Sequence, residues 1–188
     1  AGHQAYAVGG CVRDLLLGVK PKDWDVTTSA KPEEILSLFP ESFYENKFLT
    51  VTVKTDSQDP ILAEIEVTTF RAEGKYTDKR HPDEVGFAKT LEDDLARRDF
   101  TINATALADD GPIDPFGGQG DIRNKLIRAV GTPETRFEED ALRMIRAVRL
   151  AVQLDFKIEK KTEEAIKKLA GNLEFIAKER VRDELIKI

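Results

Sequence analysis

Gly9-Gly10-Cys11-Val12-Arg13-Asp14, followed by Asp23-Trp24-Asp25, is the stretch that decides how this 188-residue chain folds. The apolar run Ala5–Val8 ahead of it predicts a strand. The two glycines predict a tight turn into a helix over 12–17, closed by Gly18. Residues 24–27 predict a second strand, on which the carboxylates of Asp23 and Asp25 point to one face. Backbone amides at a helix start suit phosphate oxygens. Paired carboxylates suit divalent ions that bridge phosphates. Together these residues predict a site for nucleoside triphosphate chemistry.

Outward from this stretch, Pro32 suits the first turn of a helix over 32–39. Residues 49–54 and 61–69 are rich in β-branched side chains and predict a pair of strands. Residues 73–86 are polar, with Gly74, Gly86 and Pro82, and predict a mobile loop. Residues 104–107 predict another strand, and 111–120 carry turn chemistry. From Thr132-Pro133 the pattern becomes helical. Leu142, Ile145, Val148 and Val152 recur at steps of three or four and predict one apolar helix face. A helix over 160–170 is supported by the Glu163/Lys167 and Glu164/Lys168 pairs and stopped by Gly171-Asn172. A last helix starts near Ala177 and meets the chain end without a stop signal, which predicts a head-and-neck fragment of a longer assembly. The predicted fold is α+β: a mixed, mostly antiparallel sheet with flanking helices over residues 1–130, then an all-helical neck over 131–188.

The chain is 40% apolar, enough for one core, and no window approaches the ~18 uninterrupted apolar residues of a membrane span. The lone Cys11 excludes an internal disulfide, fits a reducing cytosol and reads as a small packing residue. His3 and His81 are too few and too far apart for a zinc site. Net charge is −6, which argues against a self-sufficient nucleic-acid binder. Residues 140–188 hold 12 basic against 9 acidic side chains, net +3, and residues 1–139 hold 17 against 26, net −9. A grip on a polyanion would therefore come from the helical end or from protein outside this chain.

An Asp-x-Asp pair suits metal ions ~3.5–4 Å apart, the geometry of in-line nucleotidyl transfer. A third carboxylate is expected from Glu64 or Glu66, which share a side of their strand, with Glu66 favoured. In Arg97-Arg98-Asp99-Phe100-Thr101-Ile102-Asn103, arginine forks suit triphosphate oxygens, and Asp or Asn suits sugar hydroxyls. Asp140 and Arg143, at i and i+3, would share one helix face. A carboxylate accepts from an exocyclic amine while a guanidinium donates to the neighbouring ring nitrogen. Cytosine and adenine offer that pair of groups; uracil and guanine meet it with two mismatches. Arg146 and Arg149 continue the basic ridge.

GGCVRDLLLG with DWD, EVTTFR, RRDFTINA, DPFGG, EEDALRMIRAVRL and ERVRDEL, in this order over residues 9 to 185, resemble the class II tRNA nucleotidyltransferase and bacterial poly(A) polymerase family of the polymerase-β-like superfamily. The resemblance implies that Asp23 and Asp25 bind catalytic Mg²⁺ and favours Glu66 as the third carboxylate. It implies that Gly10, Arg13 and Arg98 lie on the incoming nucleotide. Asp140 and Arg143 would read the base, and Arg146 and Arg149 would complete the pocket. Side chains rather than a template would then select CTP and ATP for the 3′ end of tRNA in the cytoplasm, with no membrane or DNA partner. Members that add only CC lack a flexible loop between the EVTTFR and RRDFTIN motifs. Residues 73–86 resemble that loop and favour addition of a terminal A. A poly(A) polymerase, a non-catalytic nucleotide- or RNA-binding module and a metal-dependent phosphohydrolase are the alternatives. The paired aspartates count against a pure binder, and the scarcity of histidine counts against the phosphohydrolase.

Overall fold

The computed structural model describes residues 2–45, 50–72 and 86–188. In chain order its elements are β1 (Ala5–Val8), α1 (Gly10–Leu16), β2 (Asp25–Thr28), α2 (Pro32–Leu38), β3 (Ser42–Glu45), β4 (Thr50–Lys54), β5 (Glu64–Thr69), β6 (Arg71–Ala72), β7 (Gly86–Phe87) and α3 (Leu91–Ala96). After a 3₁₀ turn at Thr101–Asn103 come β8 (Ala106–Ala108), β9 (Gly111–Ile113), α4 (Gly118–Arg123), β10 (Leu126–Ile127), α5 (Pro133–Glu139), α6 (Leu142–Leu154), β11 (Lys157–Ile158) and α7 (Lys160–Leu169). A second 3₁₀ turn at Ala170–Phe175 leads into α8 (Lys178–Ile186).

The main sheet has seven strands in the order β3-β4-β5-β2-β1-β8-β9. Its pairings are antiparallel except β2 with β5, so the mixed, mostly antiparallel sheet expected from the sequence is present. The register sorts side chains between two faces, because successive residues of a strand alternate. Val51, Val67 and Val26 fall in one row, and Val51, Val53 and Val67 pack with Ala30 and with Ile35 of α2. The next row, Thr52, Glu66, Asp25 and Val8, belongs to the opposite face, as does the row Thr50, Thr68 and Thr27. One face is therefore an apolar floor for a helix, and the other carries hydroxyls and the carboxylates of Asp25, Glu64 and Glu66.

The polar segment 73–86 expected to form a loop lies outside the described residues except for Gly86, which opens β7. Residues 71–72 and 86–87 pair antiparallel at its base. The turn-rich stretch 111–120 instead supplies β9 and the start of α4. Gly118 allows α4 to press on the 3₁₀ turn: a Cβ there would stand 2.2 Å from the Thr101 carbonyl oxygen. Short β3 and acidic α3 are further elements that apolar periodicity did not announce.

The helices after residue 131 share a core with the residues before it. Phe100, Ile102, Ile122 and Ile127 join Phe137, Met144, Ala147 and Leu150 in one buried cluster that also takes in Ala165 and Ile176. The expected apolar stripe on α6 needs correction. Leu142 and Ile145 are buried, but Val148 and Val152 are 41% and 57% exposed. Packing against α5 on one side and β10 and β11 on another turns the stripe toward Met144, Ala147 and Leu150.

Candidate active site

A cleft of about 490 Å³ opens on the polar face of the sheet, between it, the Gly9-Gly10 turn, the end of α3 and the start of α6. Asp25 and Glu66 stand side by side on its floor because β2 and β5 pair in parallel with these residues in register. Threonines 27, 50, 52 and 68 line the rest of the floor, and Arg71, Arg97, Arg98, Arg143 and Arg146 form its basic wall. Gly9 permits the closure. It adopts φ +83°, a region that favours glycine, and a Cβ would sit 3.0 Å from Arg98 Nη1 and 3.5 Å from Asp25 Oδ2. Gly9→Ala should therefore keep the fold yet raise the nucleotide KM about tenfold or more by displacing Arg98, an effect that steady-state kinetics beside a melting curve would check.

Of the residues expected here from the sequence, Gly10, Asp25, Glu66, Arg98, Arg143 and Arg146 line the cleft. Glu64 is exposed and sits opposite Lys54, away from it. Asp23 does not lie on the strand as expected: β2 begins at Asp25, and Asp23 occupies an exposed bend before it. It is still near enough to act electrostatically. Burial raises the Asp25 carboxyl above its ordinary value, the Asp23 and Glu66 carboxylates raise it further, and Arg98 and Arg71 oppose them. Arg13 lies beside the cleft, its guanidinium held by Asp14 at 2.6 Å and by the Asn103 side-chain carbonyl at 3.0 Å.

Asp140 and Arg143 do not share a continuous helix. The chain breaks between α5 and α6 at Asp140, whose backbone is extended at φ −144°. There Asp140 Oδ1 accepts from the Leu142 amide at 3.0 Å, and Oδ2 faces Arg180 Nη2 of α8 at 3.4 Å. The Arg143 guanidinium instead bonds Glu139 at 2.6 Å and the Arg97 carbonyl at 3.1 Å. Arg146 pairs with buried Asp99 at 2.8 Å. Arg149 departs from its expected place: it forms an ion pair with Glu184 of α8 at 2.7 Å, away from the cleft, because it projects to the side of α6 that α8 covers.

Asp94 is a residue that the sequence pattern did not single out. It is fully buried behind the arginines, joined to Arg97 by two hydrogen bonds of 3.1 Å. Burial pushes its carboxyl up, but Arg97, Arg98 and the Arg71 amide outweigh that and hold it below the ordinary value. Its place three and four residues before Arg97 and Arg98 on an acidic helix start was the available signal. Arg71 closes the EVTTFR segment. Burial, then its neighbour Arg97, pushes its guanidinium down to about 10.

Among the described residues, no group of three or more His, Cys, Asp or Glu side chains is gathered as a metal cage. The donor set nevertheless fits a hard cation that keeps several waters and shares phosphate oxygens: two adjacent carboxylates, with a third close enough to raise Asp25. Such an ion would relieve the repulsion that raises Asp25.

A polar sheet face with adjacent carboxylates beneath a wall of arginines is nucleotidyltransferase architecture, and this chain belongs to the family of the Poly A polymerase head domain, whose profile matches residues 5–128. Residues 155–188 match the profile described as the probable RNA and SrmB-binding site of polymerase A. The chain is 51% identical to the CCA-adding enzyme of Lactobacillus helveticus (strain DPC 4571) over 190 residues, all of this chain and 46% of that protein. It superposes on the Bacillus stearothermophilus CCA-adding enzyme in complex with CTP with a TM-score of 0.88 at 45% identity, covering 99% of this chain and 44% of that one. A tRNA nucleotidyltransferase complexed with a primer tRNA and an incoming ATP analog gives 0.79 at 32% identity, covering 98% and 52%. The chain thus spans about half the length of the curated relatives it matches. Nucleotidyltransferases of this family generally use a divalent metal. No helix among the described residues is long and apolar enough to cross a membrane.

Proposed function

We propose that this protein transfers CMP and AMP from CTP and ATP to the 3′ end of cytosolic tRNA, without a nucleic-acid template and with Mg²⁺. The observation that carries the reading is the in-register pair Asp25 and Glu66 at the floor of an arginine-walled cleft. CTP, an ATP analog and tRNA in the related structures support the substrates. Mg²⁺ held by Asp23, Asp25 and Glu66 would supply activation of the attacking hydroxyl and charge neutralisation on the departing pyrophosphate.

The chain's own contribution is positioning and charge. Arg98 and Arg146 take triphosphate oxygens in the cleft that Gly10 also lines, with Arg13 beside Gly10 and Arg149 bracing α6 from behind. The RNA 3′-oxygen attacks the α-phosphorus in line, and the bond to the β-phosphate breaks. Arg143 faces the base from the start of α6. For Asp140 to accept a cytosine or adenine amine, its carboxylate must exchange Arg180 for the base. A uracil or guanine would leave these groups mismatched, at about 1–3 kcal/mol each.

Labelled nucleotides offered to tRNA lacking three, two or one 3′ nucleotides test this reading. Addition of C, C and A in turn is expected. Long A tracts would move the assignment to a poly(A) polymerase, and no incorporation would overturn it. In the same assay Arg143→Ala should relax discrimination against UTP and GTP by about tenfold or more. Unchanged discrimination would refute base reading by Arg143.

A further inference from the structure

We infer that Asp94 is a positioning residue for the triphosphate: from behind the cleft wall it sets Arg97 and Arg98 toward the nucleotide phosphates. The inference rests on the function proposed above. Asp94 gathers groups from three separate segments. Its Oδ1 accepts from Arg97 Nε and Nη2, both at 3.1 Å, and from the Arg71 backbone amide at 3.0 Å. Its Oδ2 accepts from Thr27 Oγ1 at 3.1 Å and lies 3.5 Å from Arg98 Nη2. The side chain is inaccessible to solvent and is absent from the cleft lining, whereas Thr27, Arg71, Arg97 and Arg98 all line it. Asp94 therefore cannot touch a ligand in the cleft, yet it touches four residues that can.

The arrangement solves a physical problem. Arg71, Arg97 and Arg98 crowd together and repel one another when no phosphate is present. A buried carboxylate among them offsets that repulsion, and a fork-to-carboxylate contact fixes the plane of a guanidinium as well as its position. Thr27 lies two residues beyond Asp25 on β2, so one carboxylate ties the phosphate-facing arginines to the strand that carries the acidic centre. A point charge held elsewhere could balance the arginines, but it could not fix their distance from Asp25.

The test measures direct binding of CTP and of CMP to the parent, Asp94→Asn, Arg98→Ala and the double variant. Parent protein that binds no CTP would defeat the proposed function itself. If the parent binds, Asp94→Asn should weaken CTP by about 10-fold to 100-fold, the worth of a charge-assisted hydrogen bond, and CMP by less than threefold. A general structural defect would weaken both nucleotides alike. The double variant should lose clearly less CTP affinity than the product of the two single losses, because Asp94 acts in part through Arg98. Equal losses for CTP and CMP, or fully multiplicative losses in the double variant, would overturn the inference. Should Asp94→Asn fail to fold, Thr27→Val removes one donor without changing charge. It should lower CTP affinity severalfold and CMP affinity by clearly less, and unchanged CTP affinity would equally refute the role.

Discussion

Asp25→Asn should lower nucleotide transfer by about 10³-fold or more, while the protein melts at or above the parent's temperature at neutral pH without divalent metal. The two halves of this outcome have one cause. Asp25 is half-buried beside Glu66 and near Asp23, and burial followed by those two carboxylates raises its pKa above the ordinary 3.8. A carboxyl that holds its proton more tightly when folded favours the fold at low pH. That contribution is lost as pH rises through the folded pKa, so at neutral pH the ionised group is a liability to stability. The amide keeps the shape and removes the charge. It also removes the one carboxylate adjacent to both of the others, and with it the concentration of negative charge that suits a phosphate-bridging cation. Incorporation assays and melting curves at pH 7 and pH 3 check both halves. The stability gain should vanish at the lower pH, where the parent's carboxyl is also protonated. A variant that melts well below the parent at pH 7 would show that Asp25 is a structural carboxylate. Transfer comparable to the parent would remove it from the chemistry.

Much of this arrangement was readable from sequence because it depends on local rules. The alternation in Glu64-Ile65-Glu66-Val67 assigns faces within one strand, and the Gly-Gly turn ahead of a short apolar helix marks its own geometry. What remained hidden depends on partners distant in sequence. Only the parallel pairing of β2 with β5 brings Asp25 level with Glu66, 41 positions apart, and leaves Glu64 outside the cleft. The break at Asp140 has no glycine or proline to announce it, since the chain reads Glu138-Glu139-Asp140-Ala141-Leu142. Its cause is partly local, the Asp140 side chain accepting from the Leu142 amide two residues on, and partly tertiary, the same carboxylate facing α8 forty residues away. Arg149 was drawn toward the cleft by its spacing from Arg146. Three residues on a helix leave an offset of about 60°, and on α6 that offset carries Arg149 round to α8, where Glu184 claims it. Val148 and Val152 fit a helical apolar stripe, but a helix with neighbours on several sides buries the stripe its neighbours define.

Asp99→Asn should cost about 3 kcal/mol of stability, or roughly 6–12 °C in Tm for a chain of this size. Asp99 is 7% exposed and lies where the segment after α3 meets α6. Its Oδ1 accepts from the Phe100 amide at 2.8 Å, and its Oδ2 is 2.8 Å from Arg146 Nη2. On either side the backbone is tied to the segment between β10 and α5, with the Val130 amide donating to the Asp99 carbonyl and the Thr101 amide to the Arg128 carbonyl. The side chain thus joins α6 to a seam the backbone has already formed. Removing its charge leaves Arg146 facing a neutral amide, and the loss belongs at the lower end of the range for a broken buried pair because Arg146 keeps 39% exposure. Burial alone would raise the Asp99 carboxyl, but Arg146, then Arg143, with the Phe100 amide and Asn103, hold it below the ordinary 3.8. A lowered folded pKa contributes stability that is present above 3.8 and is lost as pH falls through the folded value. The parent should therefore lose stability in acid below pH 3.8, and the variant should lose less over the same range. Asp94 is lowered in the same direction, so the variant's slope should flatten without vanishing. Denaturant unfolding at several pH values measures this. A variant with the parent's acid slope would mean that Asp99 titrates alike in the folded and unfolded chain, and the seam would then rest on its backbone bonds and apolar core alone.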